Sequence, residues 1–173
     1  MSLKDFAGEL PDYAKDIRLN LNSLVGDQTL GDQRKYGLLL ATAHGSGYRP
    51  LVDAAEAEVA GKLSPEAANA ARAAAAIMAM NNVYYRFVHL ASNKEYGQLP
   101  AKLRMNVIGQ LGIDKADFEL FSLAVSAQNG CGMCIDAHEK VLKSHGLQPD
   151  VIQAAARFGA VMTAAATVHA TRV

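Results

Sequence analysis

Apolar residues along this chain recur mostly three and four positions apart, the spacing of one face of a helix, and strict alternation is scarce. The stretch "LSPEAANAARAAAAIMAMNN" is the clearest case. Ser64 can cap the helix, Pro65 suits the first helical position, and Glu66 favours the positive helix end. This helix is expected to end near Asn81–Asn82. "GIDKADFELFSLAVSAQNG" repeats the scheme, with Asp114 as cap, Asp117 three residues on, and Asn129–Gly130 as the stop. "LQPDVIQAAARFGAVMTAAATVHA" predicts a third long helix with Pro149 at its start. "LPAKLRMNVI" predicts a shorter helix entered through Pro100. Residues 11–24 and 32–43 read as helices, and "HGSGYRP" (44–50) reads as a loop. No stretch reads as a hairpin. The pattern predicts an all-α architecture in one domain, residues 1–173, with no linker long enough to divide it.

One faint internal echo accompanies this pattern. Displacing the sequence by 48 residues lays Ala68, Ala76, Ala79 and Asn81 over Ala116, Ala124, Ala127 and Asn129. Val83 then falls on Cys131, and Arg86 on Cys134. A duplicated helical unit would explain this, and so would chance matching of alanine-rich helices.

Charge narrows the function classes. Lys+Arg and Asp+Glu are 17 each, so the net charge is zero. Nothing forms the basic stripe that nucleic-acid binding requires. The N-terminal "MSLKDFAGEL" carries charge where a secretion signal needs an apolar run. No stretch reaches the roughly 18 uncharged apolar residues of a membrane span. A soluble, cytoplasmic protein that binds neither nucleic acid nor membrane is expected.

The chemistry gathers in "SAQNGCGMCIDAHEKVLKSHG" (126–146), which holds both cysteines of the chain and two of its five histidines. A close cysteine pair in a reducing compartment points to redox or metal chemistry rather than a structural staple. Asn129–Gly130 should break the preceding helix and put Cys131 and Cys134 at the start of the next. The free N–H groups and positive end there favour thiolate over thiol. His138 follows Cys134 by four residues and so shares its helical face, where it can take the thiol proton. Glu119 is the only charged residue between Phe118 and Ile135. It must lie on an exposed stripe or find a partner, and His138 would be a suitable one. Taken alone, Glu119 reads as a solvated helix position and His138 as a surface residue. A zinc site is the rival reading. Cys131, Cys134, His138 and His145 would supply four ligands but crowd one helix. His145 reads as support for a helix C-terminus. His44 sits beside a Gly-rich loop, but "GSG" without GKS or GKT is not a phosphate loop. His89 and His169 read as structural, Tyr84, Tyr85 and Phe87 as core or subunit contact, and Met78 and Met80 as core packing.

Glu119, eleven residues, Cys131-x-x-Cys134, three residues, then His138 resembles the motif of the AhpD alkyl hydroperoxidases. "LPDYAKDIRLNL", "AAIMAMNNVYYRF" and "LRMNVI…GIDKADFELFSLAVSAQNGC" extend the resemblance over nearly the whole chain. It implies an all-α fold with a duplicated core and a homotrimer. It implies a redox disulfide between Cys131 and Cys134, weak reduction of alkyl hydroperoxides, and re-reduction of the peroxiredoxin AhpC. The electrons would come from dihydrolipoamide on a lipoylated dehydrogenase-complex subunit, recharged by lipoamide dehydrogenase. No bound cofactor or metal is implied. In this reading Cys134 is oxidised to the sulfenic acid and pairs with AhpC. Cys131 is proton donor and resolving partner, and His138 and Glu119 are the relay. The position before the second cysteine is often histidine in that family and is Met133 here. Thiolate formation should therefore rest more heavily on His138 and the helix end. Thioredoxin-like logic instead favours Cys131 as the attacker in the electron-input step. Two further readings stand beside this one: an adaptor that reduces AhpC with little peroxidase activity of its own, and lactone chemistry of the carboxymuconolactone decarboxylase type.

Overall fold

The computed structural model describes residues 1–172, and among them every regular element is helical. The α-helices are α1 (Leu3–Gly8), α2 (Lys15–Val25), α3 (Asp32–Ser46), α4 (Arg49–Val59), α5 (Pro65–Leu90), α6 (Lys115–Gln128), α7 (Gly132–Ser144) and α8 (Pro149–Thr171). The all-α expectation holds.

Helix α6 is the hub and touches α3, α5, α7 and α8. Every residue from Ala116 to Ser126 is buried, so the helix has no solvent face along that length. A helix apolar all round belongs in a core, and this one carries Glu119 inside it. Two glycines let neighbours approach closely. A Cβ on Gly37 of α3 would lie 2.1 Å from Cζ of Phe121, and one on Gly159 of α8 would lie 2.8 Å from the Ala124 carbonyl oxygen. Helix α8 is long and apolar enough to cross a membrane by length and composition. Its apolar residues Ile152, Ala155, Phe158, Met162 and Ala165 are spent on the core instead.

The starts of the three long helices read from sequence are those observed. The Ser64 hydroxyl accepts from the Ala67 N–H at 3.1 Å, and the Asp114 carboxylate from the Ala116 N–H at 2.7 Å. Pro149 stands in the first turn of α8. The caps Ser64 and Asp114 are fifty residues apart, two more than the echo displacement.

Four features differ from the sequence reading. The loop expected at 44–50 is only Gly47–Tyr48: His44–Ser46 complete α3, Gly47 turns the chain with φ 65°, and Arg49 opens α4. Helix α4 was legible in Leu51, Ala54, Ala55 and Val59, all buried on one face. Helix α1 is fixed by a reciprocal cap, Asp5 N–H to Ser2 Oγ at 3.2 Å and Ser2 N–H to Asp5 Oδ2 at 2.9 Å. Helix α5 does not stop at Asn81–Asn82 but runs to Leu90. Asparagine ends helices by competing for backbone groups, and both amides are engaged elsewhere: Asn81 Nδ2 donates to Met105 Sδ at 3.0 Å, and Asn82 Nδ2 to Ser126 Oγ at 2.9 Å.

The fourth is the helix expected in "LPAKLRMNVI". Residues 99–105 have no regular secondary structure, and a 3₁₀ turn follows at Asn106–Gln110. Short helices depend on burying an apolar face. Here Leu99 and Val107 are exposed, no residue of the stretch is fully buried, and Lys102 takes φ 53°.

Candidate active site

The cysteines sit where α6 hands over to α7. Gly130 turns the chain with φ 65°, and Cys131 becomes the N-cap of α7. Its sulfur accepts the backbone N–H of Cys134 at 3.3 Å. The first helical turn thus points a donor and its positive end at this sulfur, an arrangement that stabilises thiolate. The two residues form a disulfide, with Cα atoms 5.3 Å apart. The sulfurs are not equivalent. Cys131 is 0% exposed, whereas Cys134 is 6% exposed and lines a cavity of about 270 Å³.

That cavity is walled by Met78, Asn81, Tyr85, Met105, Met133, Ala137 and His138 as well as Cys134. The side chains are mostly apolar, so an alkyl group would be accommodated there. Met133 is 43% exposed and contributes a thioether to the cavity wall.

His138 is on α7, one turn after Cys134, and Glu119 reaches it from α6. His138 Nδ1 and Glu119 Oε2 are 2.6 Å apart. Glu119 is 8% exposed, so the solvated-helix reading of this residue is excluded. A buried carboxylate needs a hydrogen-bonded partner, and the imidazole is that partner. The pairing locks the ring against α6 and leaves Nε2 directed into the cavity wall, 3.2 Å from Met78 Sδ. The four residues Glu119, Cys131, Cys134 and His138, drawn from two helices, therefore form one cluster.

Several contributors were not read from sequence. The break between α6 and α7 is pinned from α5: Asn129 Nδ2 donates to Asn82 Oδ1 at 2.9 Å, and Arg86 Nη1 to the Asn129 carbonyl at 2.6 Å. Two buried asparagines amid alanine were the available signal, since buried amides must find partners. Tyr85 lines the cavity, and Met78, read as core, is both core and neighbour of the imidazole. The zinc reading loses its fourth ligand. His145 Nδ1 turns to its own helix, 3.0 Å from the Val141 carbonyl, and among the described residues no group of three or more His, Cys, Asp or Glu side chains is arranged to hold a metal ion. His44 and His169 are structural. His44 pairs with Glu56 at 2.8 Å, and buried His169 joins Tyr48 and Glu9, each at 2.9 Å, while stacking on Phe6.

Fold and site together define an all-helical thiol–disulfide oxidoreductase, with one CxxC at a helix N-terminus and a carboxylate–imidazole pair beside it. Residues 94–173 match the carboxymuconolactone decarboxylase family. Over the full chain, the protein is 82% identical to the alkyl hydroperoxide reductase AhpD of Rhizorhabdus wittichii, covering 100% of both chains. It is 62% identical to the protein of that name from Rhodopseudomonas palustris, over 96% of this chain and 92% of the relative. The figure for Hyphomonas neptunium is 60%, over 98% and 94%. The chain belongs to the AhpD family of alkyl hydroperoxide reductases.

Proposed function

We propose that this protein reduces alkyl hydroperoxides at Cys134 and passes reducing equivalents from dihydrolipoamide to the peroxiredoxin AhpC. The observation that carries the reading is the division of labour between the sulfurs: Cys134 opens on an apolar cavity shared with His138, and Cys131 is fully buried at the helix cap.

In the peroxide step, His138 Nε2 takes the Cys134 proton. The Cys134 thiolate attacks the terminal oxygen of the hydroperoxide, the O–O bond breaks, and the departing alkoxide takes the proton from Nε2. Cys134 is left as the sulfenic acid. Cys131 sulfur then attacks it, the S–S bond forms, and hydroxide leaves as water with the Cys131 proton. Glu119 holds the ring and balances the imidazolium charge while it lasts. For the electron-input step, the buried position of Cys131 favours Cys134 as the sulfur that a dithiol attacks. The family name carried by the relatives supports the peroxide chemistry. AhpC and the lipoyl donor follow from the resemblance of the motif.

The assembly proposed is a homotrimer in the cytoplasm, where reduced lipoyl groups are available. Val83, Phe87 and Leu90 lie exposed along the last turns of α5, with Tyr96 and Leu99 beyond them, and subunit contact would cover such apolar side chains.

The test is NADH oxidation in a mixture of the protein, lipoamide, lipoamide dehydrogenase and an alkyl hydroperoxide, with and without AhpC. Turnover that disappears in Cys134→Ser establishes the lipoyl-fed thiol route. Turnover only with AhpC present assigns the adaptor role instead. Absence of turnover in both mixtures overturns the proposal and leaves lactone chemistry to be assayed.

A further inference from the structure

In the disulfide form, both ring nitrogens of His138 face groups that accept hydrogen bonds. Glu119 Oε2 lies at 2.6 Å from Nδ1, and Met78 Sδ at 3.2 Å from Nε2. A thioether sulfur has no proton to give. Whether the proton of the first contact sits on Nδ1 or on the carboxylate, the second contact is satisfied only when Nε2 carries a hydrogen. Bare Nε2 would set a lone pair against a sulfur lone pair inside a buried site, where an unmade hydrogen bond is most costly.

Met78 is itself fixed. It is fully buried on α5, and its sulfur also faces Asn82 Nδ2 at 3.8 Å. Asn82 is in turn held by Ser126 and by Asn129. The sulfur therefore meets a potential donor on each side and is oriented as an acceptor for both.

We propose that Met78 is a positioning residue of the relay: its thioether holds the Nε2 hydrogen of His138 while the cysteines are oxidised, so that the disulfide form stores the proton needed for its own reduction. The use made of that proton rests on the function proposed above. A thiolate of the dithiol donor attacks Cys134 sulfur, the disulfide opens, and Cys131 leaves as a thiolate at the helix end. The donor's second sulfur then attacks the first, closing the donor's own disulfide. Cys134 departs as a thiolate and takes the Nε2 proton, the Cys131 thiolate takes one from solvent, and the donor's two thiol protons go to solvent. Nε2 is then bare and ready to receive the Cys134 proton in the next peroxide step. That step passes the proton to the alkoxide, and once the disulfide has re-formed Nε2 takes its hydrogen again from solvent, where the Met78 thioether holds it.

The experiment is ¹⁵N nuclear magnetic resonance of the histidine side chains in the full-length oxidised protein, compared with Met78→Leu and Met78→Gln. Leucine keeps apolar volume and removes the acceptor, and glutamine returns an acceptor at similar length. The unmodified protein should show Nε2 of His138 protonated and slow to exchange with water. Exchange should quicken about tenfold in Met78→Leu, the loss expected for one ordinary hydrogen bond, and slow again in Met78→Gln. Single-turnover reduction of the disulfide by dihydrolipoamide should slow about threefold to tenfold in Met78→Leu, with recovery in Met78→Gln. Unchanged exchange in Met78→Leu overturns the proposal, as does an unprotonated Nε2 in the unmodified oxidised protein, a result that needs no variant to fold. The ring spectrum reads Met78 independently of turnover, so failure of the lipoyl-fed assay alone would strike the proposed function and leave this contact standing.

Discussion

Glu119 Oε2 and His138 Nδ1 lie 2.6 Å apart across the interface of α6 and α7, both largely withdrawn from water. The pair joins the most buried helix of the fold to the helix that carries the thiols. Glu119 cannot move without dragging α6, so the imidazole is aimed by the core itself.

Substituting Glu119→Gln keeps shape and removes charge. Peroxide turnover should fall about 10- to 100-fold, and His138→Asn should cost about 10²- to 10⁴-fold, the range for losing a positioned acid–base group. Because the two residues act as a unit, the double variant should be no worse than His138→Asn. Steady-state peroxide consumption in the three variants decides this. Multiplicative losses in the double variant would show that Glu119 acts on something other than the imidazole.

The cysteines should separate by stoichiometry rather than by rate. Cys131→Ser should consume one equivalent of hydroperoxide and stop, with one added oxygen on Cys134 visible by mass spectrometry and trappable with dimedone. Cys134→Ser should consume none beyond background. The reverse pattern would reassign the attacking sulfur to Cys131 despite its full burial.

The legible parts of the site were those set by local spacing. Cys134 and His138 are one turn apart on one helix, and a break at Asn129–Gly130 was enough to place them at its start. The partner of Glu119 was a reasonable inference only because so apolar a stretch offered it no other charge. The asparagines went the other way. Asn81 and Asn82 look like a helix stop locally, and only tertiary bonds to Met105, Ser126 and Asn129 show why α5 continues. Residues 99–108 failed for the complementary reason: their helical spacing buries no residue fully, with Leu99 and Val107 left exposed. The contact of Met78 with His138 could not be read, since a methionine in an alanine helix says core whether or not an imidazole meets its sulfur.

Acid stability should depend on Glu56. Its carboxyl is pulled from 4.5 to about 2, chiefly by the hydrogen bond from Arg72 and further by His44, against the opposing effect of burial. Because the folded value is depressed, the carboxylate stabilises the fold above about pH 4.5, and this contribution is lost as pH falls from there through about 2. The side chains are 31% and 40% exposed, so solvent screening discounts the full linkage value to about 1–2 kcal/mol. Urea unfolding of Glu56→Gln against the unmodified protein should show that difference near pH 6 and its decline below pH 4.5. A difference constant across this range would mean the ion pair contributes nothing to the pH response.

Gly159 offers the sharpest test of how α6 is held. Alanine is intrinsically better in a helix by about 1 kcal/mol, so on propensity alone Gly159→Ala should stabilise α8. The added Cβ would meet the Ala124 carbonyl oxygen at 2.8 Å and Gln128 Cγ at 3.0 Å. A side chain such as Gln128 can yield, but a backbone carbonyl in a fully buried helix cannot move alone. Overpacking of this kind costs about 1–3 kcal/mol, which should outweigh the propensity gain and lower the midpoint of thermal unfolding by a few degrees, at roughly 2–4 °C per kcal/mol for a chain of this size. Gly8→Ala is the control, because a Cβ there meets nothing within 4 Å, and it should be neutral or slightly stabilising. If α8 is instead displaced to relieve the clash, α6 moves with it. The Glu119–His138 pair would then loosen, and Gly159→Ala would lose turnover as well as stability. Thermal unfolding with peroxide turnover measured on the same samples separates the two responses, and a variant more stable than the parent would refute the close helix contact.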